Sequence, residues 1–125
     1  MSRVLVCKQI EEVRFYNKPM VLNESYLDSN GLNLTGLILA DSSFSKVNLT
    51  GANFSDSNLR GASFIGVELV GANLEGACLV NTIIADSDLS KTNLRQVELR
   101  GSNLYGFLFN HANLTRAEQT FPGAI

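Results

Sequence analysis

The sequence holds one histidine, His111, and two cysteines, Cys7 and Cys78. Imidazole is the usual acid–base and metal-binding group near neutral pH. Around His111 the chain places no nucleophile at a matching interval, so the residue reads as a solvated turn histidine. The cysteines are far apart and in no metal-ligand spacing, which makes them two free thiols. That leaves Glu68 and Asp88, twenty residues apart. Two carboxylates side by side can share acid–base work or hold a divalent ion. No further ligand converges on them, and they read as solvated charges near Lys91. Glu75 and Arg95 have the same separation and are expected to form an exposed ion pair contributing well under about 1 kcal/mol. Whether any such pair meets depends on the elements that carry it.

The chain has 125 residues, 45% apolar and 18% charged, with a net charge of −2. This describes one globular domain with a modest core. So small a charge gives no bulk attraction for nucleic acid or an anionic membrane, and neither partner is expected. In "MSRVLVCKQIEEV" the apolar stretch before Lys8 is short and is followed by Glu11 and Glu12, which does not fit a secretory leader. No run approaches the length that spans a bilayer. The expectation is a cytoplasmic chain.

The dominant feature is a period of five. Leu34, Leu39, Phe44, Leu49, Phe54, Leu59, Phe64, Leu69, Leu74, Leu79, Ile84, Leu89, Leu94, Leu99, Leu104, Phe109 and Leu114 form seventeen consecutive large apolar positions. At the overall apolar frequency, such a run arises by chance about once in a million trials. On an α-helix a step of five residues turns about 500°, which would spread the side chains around every face. In an uninterrupted strand, odd steps alternate between faces. Two residues before each large position the sequence is mostly small or β-branched, as at Ala52, Ser57, Ala62 and Val67. Residues two apart share a face of an extended segment. Each unit is therefore a very short strand, and a corner must restore the phase. Glycine stands two residues after the large position at 36, 51, 61, 66, 71, 76, 101 and 106; Asp41, Asp56, Asn81 and Asp86 fill four other corners. These types suit a turn that needs positive φ. A chain that keeps bending one way with its large residues inward is a solenoid.

The unit A-N-L-x-G, quoted in "GANFS", "GANLEGACL" and "GSNLYG", resembles the pentapeptide repeat family over residues 32–116. The resemblance implies an all-β fold: a right-handed, quadrilateral parallel β-helix with four units per coil, here just over four coils. Twenty residues per coil would stack Asn33, Asn53, Asn73, Asn93 and Asn113 on one side. Their amides are expected to bond from coil to coil, as in an asparagine ladder. At the strand spacing of about 4.8 Å the column is about 20 Å tall. Buried hydroxyls at Ser42, Ser57, Thr82, Ser87, Thr92 and Ser102 are expected to find backbone partners.

Residues 1–31 depart from the repeat and are expected to cap the column; 117–125 form a C-terminal tail or cap. Val6, Ile10 and Val13 fall at helical spacing, and "SRVLVC" also suits a strand, so helix and strand both stay open there. Two further units centred on Leu22 and Leu27 are shifted in phase by Asn30-Gly31. Phe121 and Ile125 either plug the last coil or pair with a second copy end to end.

Outward positions carry what remains of function. The twenty-residue coil places Ile65, Ile83, Ala85 and Tyr105 on one outer side, an apolar group suited to contact with a protein. Arg60, Arg100, Val80 and Glu98 share another side, a mixed surface with no phosphate track. The expected function is a non-catalytic, cofactor-free interaction scaffold of the bacterial cytoplasm with an unidentified protein partner. The resemblance also implies an alternative, mimicry of B-DNA at a type II topoisomerase, which calls for a long and strongly acidic column. A hydrolase or metal enzyme is a further alternative, resting on the carboxylate pair alone.

Overall fold

The computed structural model describes residues 3–23, 31–106 and 108–118. A helix, α1 (Arg3–Tyr16), precedes five short strands: β1 (Val21–Leu22), β2 (Ser43–Ser45), β3 (Ser63–Ile65), β4 (Ile83–Ala85) and β5 (Asn103–Tyr105). The strands form one parallel sheet in sequence order. From β2 to β5 the register advances by one twenty-residue coil at each step, Phe44 to Phe64 to Ile84 to Leu104. Three other columns of parallel bridges complete the square: Asn33 through Asn113, Ile38 through Glu98, and Asn48 through Leu108. The four-sided parallel β-helix that the resemblance implied is the fold.

Each side is short because the chain must turn every five residues. The N–H of Ala52 donates to the carbonyl of Leu49 at 3.0 Å, closing a tight turn, and the same bond recurs from Ala72 to Leu69 and from Ala77 to Leu74. The corner residue inside such a turn needs positive φ. All seventeen corners from Gly36 to Arg116 have φ between 53 and 73°. Five of them are Lys46, Lys91, Gln96, His111 and Arg116, of which the sequence marked only His111 as a turn residue. A left-handed conformation costs such a residue roughly 1–2 kcal/mol. The coil-to-coil ladder imposes it: the N–H of Leu74 donates to Asn93 at 2.8 Å and that of Asn93 to Ala72 at 3.0 Å.

The large residues pile along the axis as expected, and fifteen of the seventeen, Leu34 through Leu104, are buried. Phe44 and Phe64 stack with ring centroids 4.8 Å apart, while Phe54 comes from the opposite wall and meets both edge-on at 5.9 Å. At the last described coil burial falls. Phe109 is 39% exposed and Leu114 is only partly buried, a departure from the uniform burial that the period predicts. No further described coil stands over them.

The six buried hydroxyls are partnered. Ser57, Thr82, Thr92 and Ser102 each donate to the carbonyl three residues earlier at 2.6–2.8 Å. Ser87 donates to Ala85 at 3.0 Å, and Ser42 accepts from the N–H of Met20 at 2.9 Å.

The segment left open between helix and strand is helical over Arg3–Tyr16. Val6 and Val13 bury one stripe against the first coil, with Ile10 packed beside them. Leu22 lies in the inward column, in register with Phe44, so the first out-of-phase unit is real; its register step is two residues longer than the others. Leu27, Phe121 and Ile125 lie outside the described residues.

Candidate interaction surface

Among the described residues the column presents four flat sides and their corners. The side carried by β1–β5 presents Val21, Ser43, Ser63, Ile83 and Asn103 in one outward row and Ser45, Ile65, Ala85 and Tyr105 in the other. Neither row contains a charged residue. Ile65 is 45% exposed, Ile83 40% and Tyr105 53%. Ala85, expected to share this surface, is buried at 3%. It stands between Ile65 and Tyr105 in the same row, one strand from each, and its single methyl lies in the trough between the larger neighbours. The apolar group is thus Ile65, Ile83 and Tyr105 with Ala85 as floor.

Sequence reasoning missed five exposed apolar residues: Val21 (44%), Ile38 (54%) and Leu108 (58%) on the column, and Phe15 (71%) and Tyr16 (73%) at the end of α1. Val21 extends the β1–β5 side, and its register could not be read across the two-residue phase shift. Leu108 lies around the Gly106 corner from Tyr105. Both Ile38 and Leu108 sit immediately before an inward residue, an outward step of the repeat, and an apolar residue there was the available signal.

The other sides are polar or mixed. Asn33, Asn53, Asn73, Asn93 and Asn113 stack as expected, but the expected bonding of their side chains from coil to coil is replaced by bonding within the coil. Each Oδ1 accepts the N–H two residues on, from Thr35, Ser55, Glu75, Arg95 and Thr115, at 2.9–3.2 Å. The asparagines brace the corner that follows them, the local bond that suits Asn to turns. On the next side Val80 lies at 3% exposure between Arg60 and Arg100 in the same outward row.

The residues that suggested chemistry are spread over this frame. Glu68 and Asp88 are bridge partners on adjacent coils. The Asp88 carboxylate accepts hydrogen bonds from the Ser90 hydroxyl and the Ser90 N–H, which hold its pKa below the usual carboxylate value. The acidic row ends at Asn48 on one side and Leu108 on the other, so it does not run the length of the column. The Glu75–Arg95 pair forms, Oε1 to Nε 3.5 Å, with both side chains about two-fifths exposed. His111 occupies a corner with φ 62°. Cys7 is exposed and Cys78 half-buried, both free. Among the described residues, no group of three or more His, Cys, Asp or Glu is placed to hold a metal, and no helix is long and apolar enough to cross a membrane.

The pentapeptide repeat model matches residues 30–64, 48–84 and 84–116, more than half the chain. The chain is a pentapeptide repeat protein. A family member from the thylakoid lumen of Arabidopsis thaliana is 30% identical, with a TM-score of 0.74 over 78% of this chain and 68% of its own. HetL, a pentapeptide repeat protein involved in heterocyst differentiation regulation in Nostoc sp. strain PCC 7120, is 25% identical over 76% of this chain and 48% of its own, with a TM-score of 0.37. A second Nostoc pentapeptide repeat protein is 23% identical over 83% and 92% of the two chains, with a TM-score of 0.35. Among curated proteins no relative of the sequence is found.

Proposed function

We propose that this pentapeptide repeat protein is a non-catalytic scaffold that presents the β1–β5 side to a protein partner. The supporting observation is the uncharged surface on which Ile65, Ile83 and Tyr105 stand exposed. The sheet beneath holds them in fixed register, so a partner meets a pre-ordered surface and little conformational entropy is lost on contact. Aromatic and aliphatic side chains on a flat support, without competing charge, are the composition of an interface centre. The functional site is then a surface, and its occupant is a protein.

The test compares capture of partners by wild type and by the Ile65→Asp/Tyr105→Asp double variant. Both positions are exposed, so the column should unfold at an unchanged temperature. The reading expects the double variant to lose a partner that the wild type retains. Identical partner sets from two equally folded proteins would refute it.

A further inference from the structure

The β1–β5 side differs from one edge to the other. At three coils one outward row carries the larger residue: Ile65 beside Ser63, Ile83 beside Ala85 and Tyr105 beside Asn103. The two edges also differ in charge. At the coil of Phe44 the corner by which the chain enters this side is Asp41, and the corner by which it leaves is Lys46. At the coil of Phe64 the signs are reversed, with Arg60 before the entry corner and Glu68 beyond the exit corner. The coil of Ile84 has Asn81 and Asp86 as its corners, and Arg100 precedes the entry corner of the next coil. These charged residues are all exposed.

Two identical chains meeting face to face are related by a two-fold axis in the plane of contact. An axis parallel to the column keeps every residue at the level of its own coil and reverses the strands, so entry edge meets exit edge. Asp41 then faces the second copy's Lys46, and Arg60 faces the second copy's Glu68. The second copy's Asp86 faces Asn81, with Arg100 one coil away. An axis along the strands, centred on β3, instead sets Arg60 against Arg60 and Glu68 against Glu68, and such like-charge contacts are costly. Facing sheets pack about 10 Å apart, close to the screening length of about 8–10 Å at moderate salt, so the edge charges act across the gap. The axis that pairs the charges also fits the side chains. It seats the second copy's Ile83 over Ala85, which is 3% exposed in the trough between Ile65 and Tyr105. Ile65 comes opposite Ser63, and the Tyr105 hydroxyl comes opposite the Asn103 amide, a donor and acceptor for it.

We propose that the partner of the β1–β5 side is a second copy of this chain, docked face to face about a two-fold axis parallel to the column. The dimer rests on the reading of that side as a protein contact and gives the partner its identity. A side about 10 Å wide and, with five strands, about 24 Å tall offers about 240 Å² of flat area before its flanks are counted. Tight complexes bury roughly 800 Å² per partner, so the dissociation constant should be roughly tens to hundreds of micromolar. Sedimentation equilibrium of the full chain from about 5 μM to about 1 mM should therefore show a reversible monomer–dimer equilibrium. Arg60→Glu and Glu68→Arg should each weaken it at least about tenfold, because each sets like charges together at both symmetry-related contacts. Mixing the two variants should restore a heterodimer, since both contacts then join opposite charges. Ile83→Asp should abolish the dimer while the monomer melts at an unchanged temperature. A chain that stays monomeric throughout, a dimer indifferent to Ile83→Asp, or a mixture that associates no better than its components would each overturn the proposal. A monomer whose Ile65→Asp/Tyr105→Asp variant still loses a captured partner would overturn the dimer alone and leave the scaffold reading standing.

Discussion

Two glycines with the same backbone conformation should respond differently to the same methyl group. Gly71 and Gly101 are corners with φ 68° and 73°. An added Cβ at Gly71 meets nothing within 4 Å, whereas at Gly101 it collides with the Asn81 Oδ1 of the preceding coil. Gly71→Ala carries only the left-handed penalty, roughly 1–2 kcal/mol, less about 0.4–1 kcal/mol recovered because alanine restricts the unfolded chain. The expected net loss is about 1 kcal/mol. Gly101→Ala carries the same sum and must also turn the Asn81 side chain aside, at the lower end of the 1–3 kcal/mol typical of overpacking, so its loss should be about 2 kcal/mol. Replacing the neighbour as well, in Asn81→Gly/Gly101→Ala, should remove the excess and yield a coupling of about 1 kcal/mol. Urea unfolding followed by circular dichroism measures these three variants, the Asn81→Gly single variant that completes the cycle, and the parent. Equal losses for the two single variants, or a coupling of zero, would show that coil-to-coil contact at the corners does not restrict residue choice. The same arrangement recurs where Gly61, Gly76 and Gly106 follow Asp41, Asp56 and Asp86 by one coil.

Two further expectations concern the axis and the acidic row. Leu74 is fully buried in the middle of the column, so Leu74→Ala should cost about 2–5 kcal/mol; a loss below 1 kcal/mol in urea unfolding would mean that the column collapses around the cavity. Asp88 has a folded-state pKa below its ordinary value of 3.8 because of its bonds to Ser90. The stability this supplies is therefore fully present above that ordinary value and is lost as pH falls through the depressed pKa. Ser90→Ala removes the hydroxyl donor and should move the Asp88 titration, followed by carboxyl carbon chemical shift, upward. A titration unmoved by the substitution would mean that the hydroxyl bond is not its cause.

What could be read in advance was whatever repeats. A five-residue hydrophobic period admits neither a helix nor a simple strand, so Leu34 through Leu104 had to share an axis, and the stacked asparagines were visible for the same reason. The asparagine side chains were placed correctly and bonded differently, because a short amide reaches the N–H two residues ahead within its own turn. Nor could exposure be read at single positions. Ala85 and Ile65 hold equivalent outward places, and only the size of each neighbour one coil away decides that one is covered and the other bare.

The sequence by itself determined the solenoid, its register and its inward residues, since a buried side chain at every fifth step leaves the backbone one way to turn. Tertiary structure decided what no period encodes. It made the Arg3–Tyr16 segment a helix, because an amphipathic stripe can cover the open end of the first coil. It put the Gln9 amide on the Val21 edge, and it forced Lys46, Lys91, Gln96, His111 and Arg116 into left-handed corners. In each case the cause is a contact with a neighbouring coil or cap, distant along the chain, whose hydrogen bonds and packing outweigh the local preference of the residue.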